Sequence, residues 1–191
     1  MFMYEVIALI ALMVWPAIPI FFIPLHTYTK FFRLLGVWYY VLFFVIWGPV
    51  AGAVYLYKDY LLSNAFDFGI VAYVGMWLMA GGMALHLWAS KVIGIKGTIG
   101  WLELFPPEKI RFLIKGPYVH VRHPIYLAHT LMFFGVFIMT GAISAGVIAV
   151  LDFIVSYFVI IVLEEHELHA RFGKKYKEYA KKVPKFFPRL I

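Results

Sequence analysis

Apolar and polar positions alternate along the chain in long blocks. Five apolar runs stand out, at about residues 2–24, 34–57, 69–90, 124–140 and 146–163, separated by polar stretches. An α-helix rises about 1.5 Å per residue and a bilayer core is about 30 Å thick, so each run is long enough to be read as one crossing. The first run carries Glu5 in place of a basic leader, and no small-residue cleavage site follows it. It is predicted to be a retained span, kinked at Pro16 and Pro19, and not a signal peptide. The second contains Gly48 and Gly52 around Pro49, a spacing that allows close helix approach or marks a bend. In the third, Ala80, Gly81 and Ala84 supply a predicted small-residue face. Residues 91–123 are too polar to cross lipid and are expected to form a long loop, and a short turn at 141–145 makes the last two spans a tight antiparallel hairpin. Beyond them, Leu168, Phe172, Tyr176, Tyr179 and Val183 recur at helical spacing, with lysines filling the other face. That pattern predicts an amphipathic helix lying on the membrane surface, attracted to anionic lipid.

Composition agrees with this class. Of 191 residues, 64% are hydrophobic and 14% charged, and the mean hydropathy is +0.87. The expected fold is all-α and polytopic, one membrane domain of five spans with the amphipathic helix at its C-terminal side. The absence of cysteine excludes disulfides, thiolate metal sites and cysteine nucleophiles. A net charge of +7 could suggest nucleic acid, but basic and aromatic residues do not interleave on any soluble module, and no nucleic-acid partner is expected. The charge is better read as topology. With five spans, sixteen of the seventeen lysines and arginines fall on one side and Lys58 alone on the other. The positive-inside rule then puts the N-terminus outside, and the long third loop and the C-terminus in the cytoplasm.

Candidate chemistry concentrates where the third loop enters the fourth span, from Lys115 to Tyr126. Pro124 suits the first helical position, since its φ is already helical and its missing N–H would have had no partner there. The same ring pushes His123 towards extended backbone, turning Arg122 and His123 out of the helix. The first-turn N–H groups beside that guanidinium make an anion site. Gly116-Pro117 forces a turn that sets Tyr118 and Tyr126 on either side of the basic pair. Taken alone, the stretch also reads as a basic anchor at a helix end. The hairpin adds to it. With the turn centred near Ile143, His123 lies twenty residues before it and Leu163 twenty after, so Arg122-His123 and Glu164-Glu165 reach one depth. Charged groups there are costly unless paired or wet. His129 can face the same cavity and His86 lies in the same leaflet, though a helix-to-helix hydrogen bond explains either. Asp152 reads as structural. His166 and His169 resemble half a metal site without any HExxH spacing, so no metal is expected.

Gly116-Pro117-Tyr118, Arg122-His123-Pro124 with Tyr126, Glu164-Glu165, and Phe172-Gly173 with Tyr176, Tyr179, Val183-Pro184 and Pro188 together form one signature. It resembles that of the integral-membrane methyltransferases, which group isoprenylcysteine carboxyl methyltransferase with phospholipid N-methyltransferase, over about residues 94–191. The resemblance implies S-adenosylmethionine as methyl donor, a helical fold without a Rossmann domain, and a cofactor pocket in the C-terminal half. The chain itself shows no strand–helix alternation and no GxGxxG. On this reading Arg122 or the N–H groups above Pro124 meet the donor's carboxylate, and Tyr118 or Tyr126 its sulfonium. His120 and His123 would meet its ribose or carboxylate, with Gly116 shaping the turn. Glu164 and Glu165 hold its ammonium or orient the acceptor, so Arg122, Glu164 and Glu165 form the expected catalytic set. Adjacent residues on a helix point about 100° apart, so only one glutamate should face the cavity. The acceptor is expected to be a membrane lipid or a prenylated group. A phospholipid amine, the leading reading, needs a base such as Glu165 or His123; an isoprenylcysteine carboxylate, the alternative, needs none. A membrane reductase of the sterol-reductase type, which would bind NADPH instead, and a non-enzymatic scaffold or transporter are the other classes that fit a small helical bundle.

Overall fold

A computed structural model describes residues 3–107 and 112–188. Phe2, Lys109, Arg111 and Arg189, used above in bounding the first run and counting charge, lie outside the described residues. Among those described there is no β-strand, only an isolated bridge between Ala65 and Ala142. The helices are α1 (Met3–Val14), α2 (Ala17–Thr27), α3 (Thr29–Leu35), α4 (Trp38–Leu56), α5 (Lys58–Leu61), α6 (Ala72–Thr98), α7 (Trp101–Leu104), α8 (Pro124–Thr140), α9 (Ile143–Val155), α10 (Ile161–Phe172) and α11 (Lys174–Lys182). Four stretches are long and apolar enough to cross a membrane: Met3–Thr27, Trp38–Leu56, Gly69–Leu104 and Ile143–Phe172. The shorter apolar α8 accompanies them, and the chain is an all-α polytopic membrane protein.

Local chemistry decides where the helices bend. The first span breaks at Trp15-Pro16 alone, because Pro19 falls in the first turn of α2, where its missing N–H costs little. Helix α6 runs on past residue 90 to Thr98, through a kink at Gly94 (φ 76°, ψ 163°), so much of the expected third loop is helical. The last span carries a π-helical turn at Ser156–Ile160 between α9 and α10.

Helices α6 and α8 form the tightest contact. A Cβ on Gly75 would lie 2.4 Å from the Met139 nitrogen, and one on Gly135 2.5 Å from the Met79 nitrogen. Gly75, Gly82 and Ala89, seven residues apart, are the buried small positions of α6. The predicted face of Ala80, Gly81 and Ala84 instead points outward, and a Cβ on Gly81, Gly48 or Gly52 would meet nothing within 4 Å. The error is one of phase: at about 100° per residue, a small-residue stripe shifted by one position looks away from its partner.

The expected surface helix also differs. It breaks at Gly173 (φ 53°), and Tyr176, Tyr179 and Val183 are buried against Phe112, Leu168 and Phe172. Its apolar stripe packs on the protein itself, leaving the lysines exposed. The segment that follows turns back into the core, where Phe186 is buried among Phe153 and Tyr157.

Candidate active site

Pro124 opens α8 as expected, and His123 before it is non-helical (φ −123°, ψ 62°). Gly116–Val119 forms one 3-10 turn, with Gly116 at φ 56°, where a side chain would strike Val92 and Trp88. The peptide N–H groups of Arg122 and His123 then donate to the carbonyls of Pro184 (2.9 Å) and Lys185 (3.2 Å). The Arg122 guanidinium donates to the carbonyls of Ala180 (2.7 Å) and Val183 (3.3 Å). Residues 180–186 thus strap the Arg122-His123 corner onto the bundle.

The two glutamates part company at this corner. Glu165 is saturated: Arg122 lies at 2.6 Å, the Tyr176 hydroxyl donates at 3.2 Å, His123 Nε2 sits at 3.3 Å and the Lys185 ammonium at 3.6 Å. Glu164 faces the opposite ring nitrogen, Nδ1, with its Oε2 at 3.3 Å, and that oxygen is buried. Burial alone would favour a neutral imidazole at His123. The carboxylates of Glu164 and Glu165 outweigh it and raise the pKa above its ordinary value. The ring is therefore an imidazolium with a carboxylate at each nitrogen.

Glu164 forms part of the wall between two adjoining cavities. One, of about 60 Å³, is lined by Phe22, His26, Thr98, Glu103, Tyr118, Arg122, His123, Pro124 and Tyr126 along with Glu164. The other, of about 170 Å³, adds Phe112, Leu168, Phe172, Tyr176 and Tyr179 to Glu103, Tyr118, Arg122 and Glu164. Its rings are packed together: Phe112 lies 4.9 Å from Phe172 and 5.3 Å from Tyr179, centroid to centroid. Burial, and then the Glu164 charge, raises the Tyr118 pKa, so this phenol keeps its proton as a donor. Arg122 Nε and Glu103 Oε2 are buried without hydrogen-bond partners, beside Glu164 Oε2. A cavity presenting two carboxylate oxygens, a guanidinium N–H and a cluster of aromatic rings can bind a ligand that is both cationic and flat.

The family comparison decides what this arrangement belongs to. The phospholipid methyltransferase family matches residues 70–175, more than half of the chain. The chain belongs to the phospholipid methyltransferase family. The match takes in the Lys115–Tyr126 stretch and both glutamates; α1 to α5, Tyr176, Tyr179 and the strap fall outside it. Two curated relatives resemble the chain in part. Nickel-cobalt-cadmium resistance protein NccN of Alcaligenes xylosoxydans xylosoxydans is 33% identical over 97 residues, 49% of this chain and 45% of that protein. Cobalt-zinc-cadmium resistance protein CzcN of Cupriavidus metallidurans is 36% identical over 114 residues, 54% of this chain and 52% of that protein. The chain thus spans about half the length of these relatives. No solved structure matches it.

Within this family member, the structure brings Tyr118, Arg122, His123, Tyr126 and Glu164 to one cavity. Glu165 lies behind them in the polar clasp, Gly116 packs on Trp88, and His120 is exposed away from both cavities. Of the two readings of His129, the structure leaves it off the cavity walls and sets it against His86 on the neighbouring helix, ring centroids 5.0 Å apart. His26 and Glu103 were missed. Each is a single polar residue near the end of an apolar stretch, with no periodicity to mark it.

Proposed function

We propose that the protein is an S-adenosylmethionine-dependent methyltransferase working at the cytoplasmic membrane boundary, with a phospholipid amine head group as acceptor. The observation that carries this reading is Glu164, which lines both cavities and whose buried Oε2 meets His123 at 3.3 Å, while its neighbour Glu165 is taken up by four partners behind them. The donor set fits S-adenosylmethionine: Glu103 and Glu164 suit its positive groups, the Arg122 Nε–H its carboxylate, and the Phe112, Phe172 and Tyr179 faces its adenine. When bound, the cofactor supplies an electrophilic methyl carbon on a sulfonium.

The chain's own residues would position the acceptor and unmask its lone pair. A phospholipid ammonium must lose a proton before its nitrogen can attack. Glu164 lines the cavity as a carboxylate and would accept that proton, whereas His123, already an imidazolium, has no lone pair to offer. Arg122 and Glu165 act as positioning residues, fixing His123 and through it the Glu164 carboxylate. Phe22 and Tyr126, packed edge to face at 6.0 Å, help keep bulk water out.

The test is transfer of labelled methyl from S-adenosylmethionine into total host lipid and, in parallel, into a farnesyl-cysteine mimic. Glu164→Gln is expected to lower kcat about 10²–10⁴-fold, with partial relief as pH rises and more amine is free. Glu165→Gln should act mainly by lowering thermal stability. Labelling of the farnesyl-cysteine mimic instead of lipid would move the acceptor to a carboxylate. Absence of donor binding by calorimetry at millimolar concentration would reject the enzyme reading.

A further inference from the structure

On the other side of Glu103 from the Glu164 cavity, a pocket of about 650 Å³ opens between α3 and α10, with Lys30, Arg33 and Arg171 on its walls. Arg33 Nε donates to the Glu103 carbonyl at 2.7 Å, and Arg171 reaches the Glu103 carboxylate at 3.7 Å. Both guanidiniums keep further N–H donors, since each has five. Lys30 is exposed and makes no ion pair among the described residues. Glu167 is the carboxylate on this wall, and its oxygens are occupied by His26 Nδ1 at 2.9 Å and by the Thr29 hydroxyl. Among the described residues, three cations therefore line the pocket; its one carboxylate, Glu167, is already taken up, and Glu103 meets only Arg171 with its charge.

The pocket also lies at a particular depth. Thr27 ends the first apolar span, Trp38 begins the next, and Phe172 ends the last. Lys30, Arg33 and Arg171 sit at or between those ends, where apolar spans give way to polar chain, and exposed Phe31 lines the pocket beside them.

We propose that this pocket binds the phosphate of a phospholipid head group. A phosphodiester offers two oxygens sharing one negative charge, which suits the planar donor fork of arginine, and its acyl chains would lie along the adjacent apolar surface. Two residues, Glu103 and His26, link the partition between this pocket and the Glu164 cavity. Glu103 faces that cavity and holds Arg33 and Arg171 from behind; His26 faces it and holds Glu167 of the basic pocket. A head group whose phosphate rests on the three cations presents its polar substituent to this partition. In that last respect the inference rests on the reading of Glu164 as the methyl-transfer site.

The binding test needs no methyl donor. Titrate the detergent-solubilised whole chain, by calorimetry, with dioctanoyl phosphatidylethanolamine, dioctanoylglycerol and inorganic phosphate. The phospholipid is expected to bind at least about tenfold more tightly than either of the others, because only it supplies both the charge-assisted contacts and the chains. Arg33→Gln combined with Arg171→Gln should weaken it about tenfold or more. Because those arginines also hold Glu103, Lys30→Gln is the second variant, expected to weaken binding severalfold at unchanged melting temperature. Wild-type affinity in Lys30→Gln and in a folded double variant would overturn the proposal. So would equal affinity for dioctanoylglycerol, or for inorganic phosphate, which would make lipid irrelevant to the site. Loss of phospholipid binding preference with methyl transfer intact condemns this pocket alone. Binding without methyl transfer condemns the assignment of Glu164 alone.

Discussion

His123 holds the site together as a charge, and that makes the fold sensitive to pH. Burial favours the neutral ring, but Glu164 and Glu165 prevail, so the folded-state pKa is raised above about 6.5. A group raised on folding stabilises the native state fully below its unfolded pKa and loses that contribution as pH rises through the folded value. The expected result is a melting temperature that declines as pH increases beyond about 7, in a His123-dependent manner. Thermal unfolding of the detergent-solubilised protein from pH 5.5 to 9 checks this, with His123→Gln as comparison: a variant with the same slope as wild type would refute the linkage. Sequence alone could bring these side chains together, because helices of equal rise on either side of a short turn must return to one depth. It could not say which glutamate faces the cavity. The π turn at Ser156–Ile160 rotates everything after it, and no residue in that apolar stretch announces an extra unit of helix.

Between helices, the same limit appears as a problem of phase. The existence of the spans could be read from long apolar runs, but the packing face of α6 could not, because glycines and alanines occur on several of its sides. The structure selects Gly75 and Gly82, with Gly135 opposite on α8. Since a Cβ at Gly75 or Gly135 would run into backbone and not into a flexible side chain, relief requires the helices to separate. Gly75→Ala and Gly135→Ala are each expected to destabilise the protein by about 1–3 kcal/mol. Gly81→Ala, which meets open space, should be neutral or slightly stabilising through helix propensity. Thermal melts of the three variants side by side decide it. Equal melting points would mean that the α6–α8 contact is not where the stability lies.

For the whole molecule, the helices and their membrane character could be read from composition. The division of lysine and arginine predicts which side each loop occupies. The chain has no cysteine, so single cysteines can report it cleanly. A cysteine at Asn64 is expected to react with an impermeant maleimide on intact cells, and cysteines at Lys115 or Lys177 only after permeabilisation. Reaction of Asn64 and Lys115 from the same side would require an even number of crossings between them, against the proposed topology.

The strap over Arg122 also sets an order of events during biosynthesis. The carbonyls that hold the guanidinium belong to Ala180 and Val183, 58 and 61 residues further along. Spans can enter the bilayer one after another as a nascent chain emerges, and Glu164 and Glu165 can meet the corner that carries Arg122 and His123, but its backbone and guanidinium bonds are incomplete until those carbonyls leave the ribosome. Insertion and maturation are thus separated in time: the membrane holds a threaded chain before it holds a pocket, and residues 180–186 are what turn one into the other.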